Sequence, residues 1–216
     1  MISDNLSRIY KELPSGVALV AVSKFHPVER LMEAYSAGQR LFGENRPQEF
    51  AAKVPLMPSD VVWHFIGHLQ TNKLRLVLPY ASMVQSVDSL HLLDAIDRWC
   101  RDNGKVMDIL LEFHLGAEES KHGLDEQQIR QALSATREGI RFRGLMGMAT
   151  NTDDEAVVEQ DFARIHSLFL TLQREFPHHH AIDQLSIGMS GDWKIALRHG
   201  ATMVRIGSDI FGNREY

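Results

Sequence analysis

The sequence predicts an α/β fold, a single parallel (β/α)8 barrel of the TIM-barrel type with an extra N-terminal helix. Short apolar runs alternate with helical patterns eight times, and several runs are apolar throughout, as strands buried on both faces are. No Pro-, Gly- or Ser-rich linker divides the 216 residues, so we assign residues 1–216 to one domain. A doubly wound open sheet has the same strand–helix spacing and stays open as the competing topology.

The eight apolar runs are the predicted strands. They are residues 17–22, 40–42, 61–66, 83–87, 106–113, 142–148, 182–187 and 203–206. The intervening segments repeat apolar residues at helical spacing. Three such stripes are Val28, Leu31, Met32 and Tyr35 between Pro27 and Gly38; Ile129, Ala132, Leu133 and Thr136; and Val158, Phe162, Ile165, Phe169 and Leu172. Asp88 is the predicted N-cap of a further helix that carries Leu92, Leu93, Ile96 and Trp99.

The two ends of the chain complement each other. Only residues 208–216 follow the last strand, too few for a full eighth helix, whereas Leu6, Ile9, Tyr10 and Leu13 form a helical stripe before the first strand. We therefore expect the N-terminal helix to cover the gap at the end of the barrel.

Composition excludes several classes of protein. The formal net charge of −5 favours neither nucleic acid nor an anionic membrane as a partner. No signal peptide and no apolar stretch of membrane-spanning length is found, so a cytoplasmic protein is expected. The single cysteine, Cys100, excludes an internal disulfide and is interpreted as a buried apolar side chain.

Residues that follow the strands are the candidates for function, because the C-terminal ends of parallel barrel strands hold the active sites of this fold. Lys24 follows the first strand, where partial desolvation would free its amine to attack a carbonyl. A lone lysine that extends to solvent is the alternative. Asn45 follows the second strand and is either a helix cap or a ligand contact, or both.

The last two strands end in small polar residues. Ser190 and Gly191 follow the seventh strand, and Gly207 and Ser208 follow the eighth. Phosphate groups bind at these two loops in many barrels, because small residues leave backbone N–H groups accessible. Arg205 lies within the otherwise apolar eighth strand, which suggests a ligand contact; the alternative is a buried salt bridge with Glu44, Glu112 or Asp209.

Metal and nucleotide sites have no support. His64 and His68 lack a cysteine or carboxylate at ligand spacing, and we interpret them as hydrogen-bonded polar residues. Neither a Gly-x-Gly-x-x-Gly nor a Walker sequence is present.

Several segments together resemble the pyridoxal phosphate homeostasis proteins over nearly the whole chain. They are AVSK at 21–24, FGEN at 42–45 with Gln48–Glu49, HFIGHLQTNK at 64–73, ESKHG at 119–123, RGLM at 143–146, LSIGMSGD at 185–192 and VRIGSDIFG at 204–212. Phe25–His26 and Arg46–Pro47 depart from the family's usual residues. No segment alone is specific, whereas the ordered set is.

The resemblance implies a pyridoxal phosphate (PLP)-binding barrel similar to the cofactor domain of alanine racemase, with PLP held on Lys24 as an internal aldimine. It implies that Ser190, Gly207 and Ser208 bind the phosphate and that Met189 and Asn45 lie near the cofactor. Arg205 would face the pyridine nitrogen and keep it unprotonated, which weakens the cofactor as an electron sink.

The resemblance predicts a non-enzymatic role in intracellular PLP homeostasis. Racemisation needs a base on each face of the substrate carbon, and a chain that ends at Tyr216 offers no second domain to supply the second base. A weak racemase-like PLP enzyme, a Schiff-base aldolase and a pure interaction module are the alternatives. We expect a monomer whose partners are PLP and PLP-dependent acceptor enzymes.

Overall fold

Eight parallel strands close into a barrel in the order β1 to β8, in a computed structural model that describes residues 1–115, 123–179 and 181–212. The closing pair is β1 with β8, in which Ala18 lies opposite Met203 and Ala21 opposite Ile206. The predicted closed barrel is therefore confirmed, and the open sheet is wrong. The strands are β1 (Ala18–Val22), β2 (Leu41–Glu44), β3 (Val62–Phe65), β4 (Met83–Val87), β5 (Met107–Glu112), β6 (Ile140–Met146), β7 (Gln184–Ser186) and β8 (Met203–Ile206).

Helices surround the barrel. The described helices are α1 (Ile2–Glu12), α2 (Val28–Ser36), α3 (Pro47–Lys53), α4 (Leu74–Val77), α5 (Leu90–Asp102), α6 (Glu126–Ser134), α7 (Glu155–Glu175), α8 (Trp193–Arg198) and α9 (Ser208–Phe211), with 3-10 turns at Val54–Leu56 and Thr71–Lys73. The three predicted stripes lie on α2, α6 and α7, except for Thr136, which lies beyond the end of α6. The ESKHG motif lies outside the described residues except for Gly123.

One predicted cap is wrong. Ser89, not Asp88, is the N-cap of α5, and its hydroxyl accepts a hydrogen bond from the N–H of Leu92 at 3.2 Å. Asp88 instead lies 2.6 Å from Nδ1 of His68 at the barrel mouth. A serine hydroxyl caps a helix as well as a carboxylate does, so spacing alone could not separate the two neighbours.

The barrel interior has an apolar layer below a layer that contains charged residues. Val20, Met83, Leu110, Met146 and Met203 come from five strands and pack together as a cluster separate from the outer core. Side chains alternate between the two faces of a strand, so Val22, Arg205, Glu112 and Met148 continue the inward series towards the C-terminal end. Larger residues such as Phe42, Phe50 and Phe162 are buried between the strands and the helices.

Helix α1 packs beside the short α9, as expected. Ile2, Leu6 and Ile9 are buried, and the side-chain amide of Asn5 donates to the carbonyl oxygen of Ile210 at 3.0 Å. Tyr10 departs from the predicted stripe, since it is 46% exposed. Within the described ranges, no helix is both long enough and apolar enough to cross a bilayer.

Candidate functional site

A cavity of about 570 Å³ opens at the C-terminal ends of β1, β2, β7 and β8. All seven sequence-predicted residues line it: Lys24, Asn45, Met189, Ser190, Arg205, Gly207 and Ser208. The strand alternation places them there, because Lys24 follows Val20 and Val22 on the inward face of β1. The cavity is also lined by Val22, His26, Ile66, Met148 and Gly212, which the sequence pattern did not single out.

The turn that carries Lys24 is fixed on both sides. The N–H of Ser23 donates to the carbonyl of Gly43 at 3.0 Å, which extends the pairing of β1 with β2 by one residue. Phe25 has a φ of +68°, in the left-handed region that bulky residues rarely occupy. Its N–H donates to Oε1 of Glu49 on α3 at 2.6 Å. The backbone on either side of Lys24 is thus held by neighbouring elements.

Beneath this turn, four residues form what we call the Lys53 cluster: Ser23, Glu44, Glu49 and Lys53. The ammonium of Lys53 donates to Oε1 of Glu44 at 2.7 Å, Oε1 of Glu49 at 2.6 Å and the carbonyl oxygen of Ser23 at 2.8 Å. These bonds use all three donors of the ammonium. The hydroxyl of Ser23 also donates to Glu44 at 2.6 Å. Burial raises the pKa of Glu44, an effect that Lys53 opposes.

Arg205 is buried and lines the cavity. Its guanidinium donates to the carbonyl and hydroxyl oxygens of Ser186, both at 2.7 Å, and to the carbonyl oxygen of Gly147 at 2.9 Å. A guanidinium has five N–H donors, so two remain beyond these three bonds. The salt bridge considered as an alternative is not found among the described residues. Burial lowers the pKa of Arg205 to about 10, which leaves it charged at neutral pH.

A chain of buried hydrogen bonds continues from Arg205 across the barrel. Ser186 donates to Oε1 of Gln85 at 2.7 Å, and Nε2 of Gln85 lies 2.8 Å from Nδ1 of His64. Arginine can only donate, so each step has one direction and His64 must accept at Nδ1, with its proton on Nε2. Burial lowers the pKa of His64 to about 4, consistent with a neutral ring. His64 is thus a hydrogen-bonded polar residue, as predicted.

The predicted phosphate loops meet at one point. The N–H of Gly207 lies 3.3 Å from the hydroxyl oxygen of Ser190, which brings the loops after β7 and β8 together. A Cβ added at Gly207 would lie 3.3 Å from the carbonyl oxygen of Val22, so a larger residue would crowd β1. Small side chains keep the backbone open towards the cavity here.

Asn45 does not cap α3. Arg46 is the N-cap of that helix, and Oδ1 of Asn45 is buried without a hydrogen-bond partner among the described residues. Gly67 packs against its backbone, where an added Cβ would lie 2.2 Å from the Asn45 carbonyl oxygen. A buried acceptor oxygen without a donor costs free energy, and only a group that donates a hydrogen bond could satisfy it.

No group of three or more potential metal ligands occurs in the described part of the chain. Cys100 is buried and free, and burial raises the pKa of its thiol to about 11. The interpretation of Cys100 as an apolar core residue is confirmed.

Comparison with known proteins agrees with the resemblance seen in the sequence. A family model described as the N-terminal domain of alanine racemase matches residues 1–215. Pyridoxal phosphate homeostasis proteins align over most of the chain: that of Pasteurella multocida is 38% identical, covering 95% of this chain and 90% of the relative. That of Escherichia coli is 36% identical, covering 94% and 88%. The chain belongs to the pyridoxal phosphate homeostasis protein family.

Solved structures support the assignment. PipY of Synechococcus elongatus, determined with PLP bound, superimposes with a TM-score of 0.91 at 36% identity and covers 98% of this chain and all of that one. Alanine racemase from E. faecalis superimposes with a TM-score of 0.79 at 17% identity and shows the barrel fold alone. This chain covers 58% of that racemase.

Proposed function

We propose that the chain binds PLP in the cavity through a covalent bond to Lys24 and serves PLP homeostasis in the cytoplasm. The observation that carries the proposal is the shared cavity, which brings Lys24, Arg205 and the Ser190–Gly207–Ser208 loops together. The names of the relatives and the PLP bound to PipY support the same ligand.

The residues of the cavity fit the parts of PLP. When bound, PLP supplies an aldehyde carbon for a lysine amine and a ring that withdraws electrons. Lys24 provides the amine. Ser190, Gly207 and Ser208 provide hydroxyl and N–H donors for the phosphate. The free donors of Arg205 would face the ring nitrogen and keep it unprotonated, and Asn45 would lie near the cofactor in the same cavity.

We propose further that the protein is a PLP carrier and not an enzyme, acts as a monomer, and passes PLP to PLP-dependent enzymes. The proposal rests on the names of the relatives and on Lys24, the one amine that lines the cavity among the described residues. The second candidate is a weak racemase-like enzyme. One observation favours it: the base His26 also lines the cavity, with its ring stacked on Phe211 at 4.8 Å.

The visible absorption spectrum tests the cofactor and the lysine together. Protein reconstituted with PLP should show a yellow band that borohydride removes, leaving PLP fixed on Lys24 in peptide mass analysis. Lys24→Ala should lack the band, whereas Lys194→Ala should keep it, since Lys194 is 62% exposed and pairs with Glu12 on the surface. A protein that stays colourless with PLP contradicts the proposal.

Two further assays separate carriage from catalysis. Racemisation of amino acids, above the rate of free PLP and lost in Lys24→Ala, would establish the weak enzyme and remove the carrier-only proposal. In the other assay, reconstituted protein is mixed with a cofactor-free PLP enzyme. Recovery of activity faster than spontaneous PLP release would demonstrate transfer, and recovery at the spontaneous rate would contradict it.

A further inference from the structure

A second cavity of about 680 Å³ adjoins the first. The two share Met148, Met189 and Gly191, and the second extends over the ends of β5, β6 and β7 towards the start of α7. Its apolar wall includes Val158 and Ile195. Met148 and Met189 are large apolar side chains that remain 42% and 39% exposed at this boundary. A ligand in the second cavity would therefore lie against the proposed PLP site.

The ionisable groups that line this second cavity in the described part of the chain are all acidic. They are Glu112, Asp153, Glu155 and Asp192, and no lysine, arginine or histidine lines it among the described residues. We call it the acidic cavity. Asp192 has a structural partner, since Oδ1 accepts the N–H of Met189 at 2.5 Å. Charge alone does not make a site, because carboxylates near a helix start such as α7 are common.

Glu112 distinguishes this cavity from a solvated acidic surface. It is 5% exposed, lines the cavity, and its side chain accepts no hydrogen bond from any described residue. Three N–H donors of the adjacent cation, Arg205, bond to Ser186 and Gly147, and none of its hydrogen bonds goes to Glu112. An ionised carboxylate that is buried without a hydrogen-bonded partner is costly, and a cationic group in the cavity would remove that cost.

We propose that the acidic cavity binds a primary amine that carries a second positive charge and no carboxylate, as diamines and two neighbouring lysine side chains of a protein do. The ammonium group contacts Glu112, and the alkyl chain lies along Met148, Val158 and Met189. Apolar walls with carboxylates of one sign suit this combination of a short hydrocarbon chain and a cation. An anionic or zwitterionic amine does not suit it, because its carboxylate would meet four acidic side chains.

The position of the cavity gives this ligand a role that rests on the proposed function. An amine held beside the PLP site can displace Lys24. The nitrogen of the incoming free amine bonds to the PLP carbon that was bonded to Lys24. The bond between that carbon and the Lys24 nitrogen breaks, and the proton lost by the incoming nitrogen passes to the Lys24 amine. No oxidant or reductant is needed. The acidic cavity would thus raise the local concentration of the amine that receives PLP.

Binding to the PLP-free protein tests the cavity independently of the cofactor. Isothermal titration calorimetry of Lys24→Ala protein compares three amines of similar chain length. Cadaverine carries two positive charges, pentylamine carries one, and 6-aminohexanoate carries one positive and one negative charge. Cadaverine should bind at least tenfold more tightly than the other two. Adding Glu112→Gln should remove that preference, whereas adding Glu126→Gln should not, since Glu126 is 46% exposed on α6 and pairs with Arg130. Equal binding of the three amines, or a preference that survives Glu112→Gln, would overturn the proposal.

Release of PLP from reconstituted wild-type protein tests the role. Cadaverine should release PLP at least fivefold faster than pentylamine at equal free-base concentration, and Glu112→Gln should abolish the difference. The capped dipeptide acetyl-Lys-Lys-amide then stands for lysines of a protein, and cadaverine stands for a free diamine. The compound that releases PLP at the lower concentration identifies the natural source of the incoming amine. Failure of reconstitution would count against the proposed function, whereas reconstitution with equal release rates would count against the acidic cavity alone.

Discussion

Nζ of Lys53 lies 2.7 Å from Oε1 of Glu44, and both side chains are buried between α3 and the first two strands. The same ammonium binds Ser23, and Glu49 binds Phe25, so the pair is joined to both neighbours of Lys24. Breaking a buried ion pair on one side leaves an uncompensated charge. The Lys53 cluster therefore sets the position of Lys24, the proposed PLP-binding lysine, as well as contributing to stability.

Lys53→Met should consequently lower the free energy of unfolding by about 3–5 kcal/mol, because Glu44 stays buried without its cation. Urea unfolding followed by circular dichroism measures the change. Glu44→Gln in the same protein should recover part of the loss, since the amide carries no charge. Lys194→Met should cost less than about 0.5 kcal/mol as an exposed control. A Lys53→Met protein as stable as the wild type would show that the pair contributes nothing.

Lys24 and Lys53 differ in whether their positions could be predicted from the sequence. Lys24, Ser190 and Gly207 could be predicted, because strand ends converge at the mouth of any parallel barrel and small or polar residues follow the apolar runs there. Lys53 could not, because its partners lie on three elements up to 30 residues away. Its only local signal is Glu49 four residues earlier on α3.

The exact strand lengths and helix caps could not be predicted from the sequence either. Strand β7 spans only Gln184–Ser186, although the apolar run is twice as long, and the hydrogen bonding to β8 continues beyond its end, where the N–H of Ile187 donates to the carbonyl of Met203 at 3.2 Å. Ser89 caps α5 in place of the expected Asp88, because Asp88 lies against His68. Arg46 is the N-cap of α3, so the cap role left open for Asn45 is not found, and Oδ1 of Asn45 is buried. The acidic cavity could not be predicted, because its residues come together only through the folded loops after β6 and β7.

Glu112 should make the protein less stable as pH rises. Burial raises its pKa to about 7, with Asp88 adding to the effect while Arg205 and His68 oppose it. Between pH 4.5 and 7 the folded state therefore holds a proton that the unfolded state has lost, and stability falls as pH increases through this range. The full contribution is roughly 3 kcal/mol. Comparing urea unfolding of Glu112→Gln and wild type at pH 5 and 8 should show the variant gaining relative stability at pH 8; a constant difference would contradict this pKa.

His64 contributes in the opposite direction. Its folded pKa of about 4 lies below that of the unfolded chain, so the unfolded state takes up the proton first and stability falls as pH drops from about 6.5 towards 4. NMR spectra of the histidine rings should show His64 neutral at pH 5.5, with its proton on Nε2. A His64 ring that titrates near 6.5 would contradict both the burial and the direction of the hydrogen-bond chain.

Ser186→Ala should weaken that chain at its centre. The substitution removes an acceptor from Arg205 and leaves Oε1 of Gln85 without a donor, which should cost about 1–3 kcal/mol of stability. Ser134→Ala is the matched control, because Ser134 lies exposed at the end of α6 and bonds only within its own helix. Equal thermal unfolding of both variants would mean that the buried chain adds no stability.

Ser190 should act on the phosphate of PLP and on no other part of it. Ser190→Ala removes a hydroxyl from the point where the loops after β7 and β8 meet, so PLP affinity should fall about tenfold, as expected for one hydrogen bond to a charged group. Affinity for pyridoxal, which lacks the phosphate, should not change. Equilibrium dialysis of both compounds against wild type and variant measures the two effects. If both affinities fall equally, Ser190 supports the fold of the loop instead, and the phosphate must bind elsewhere in the cavity.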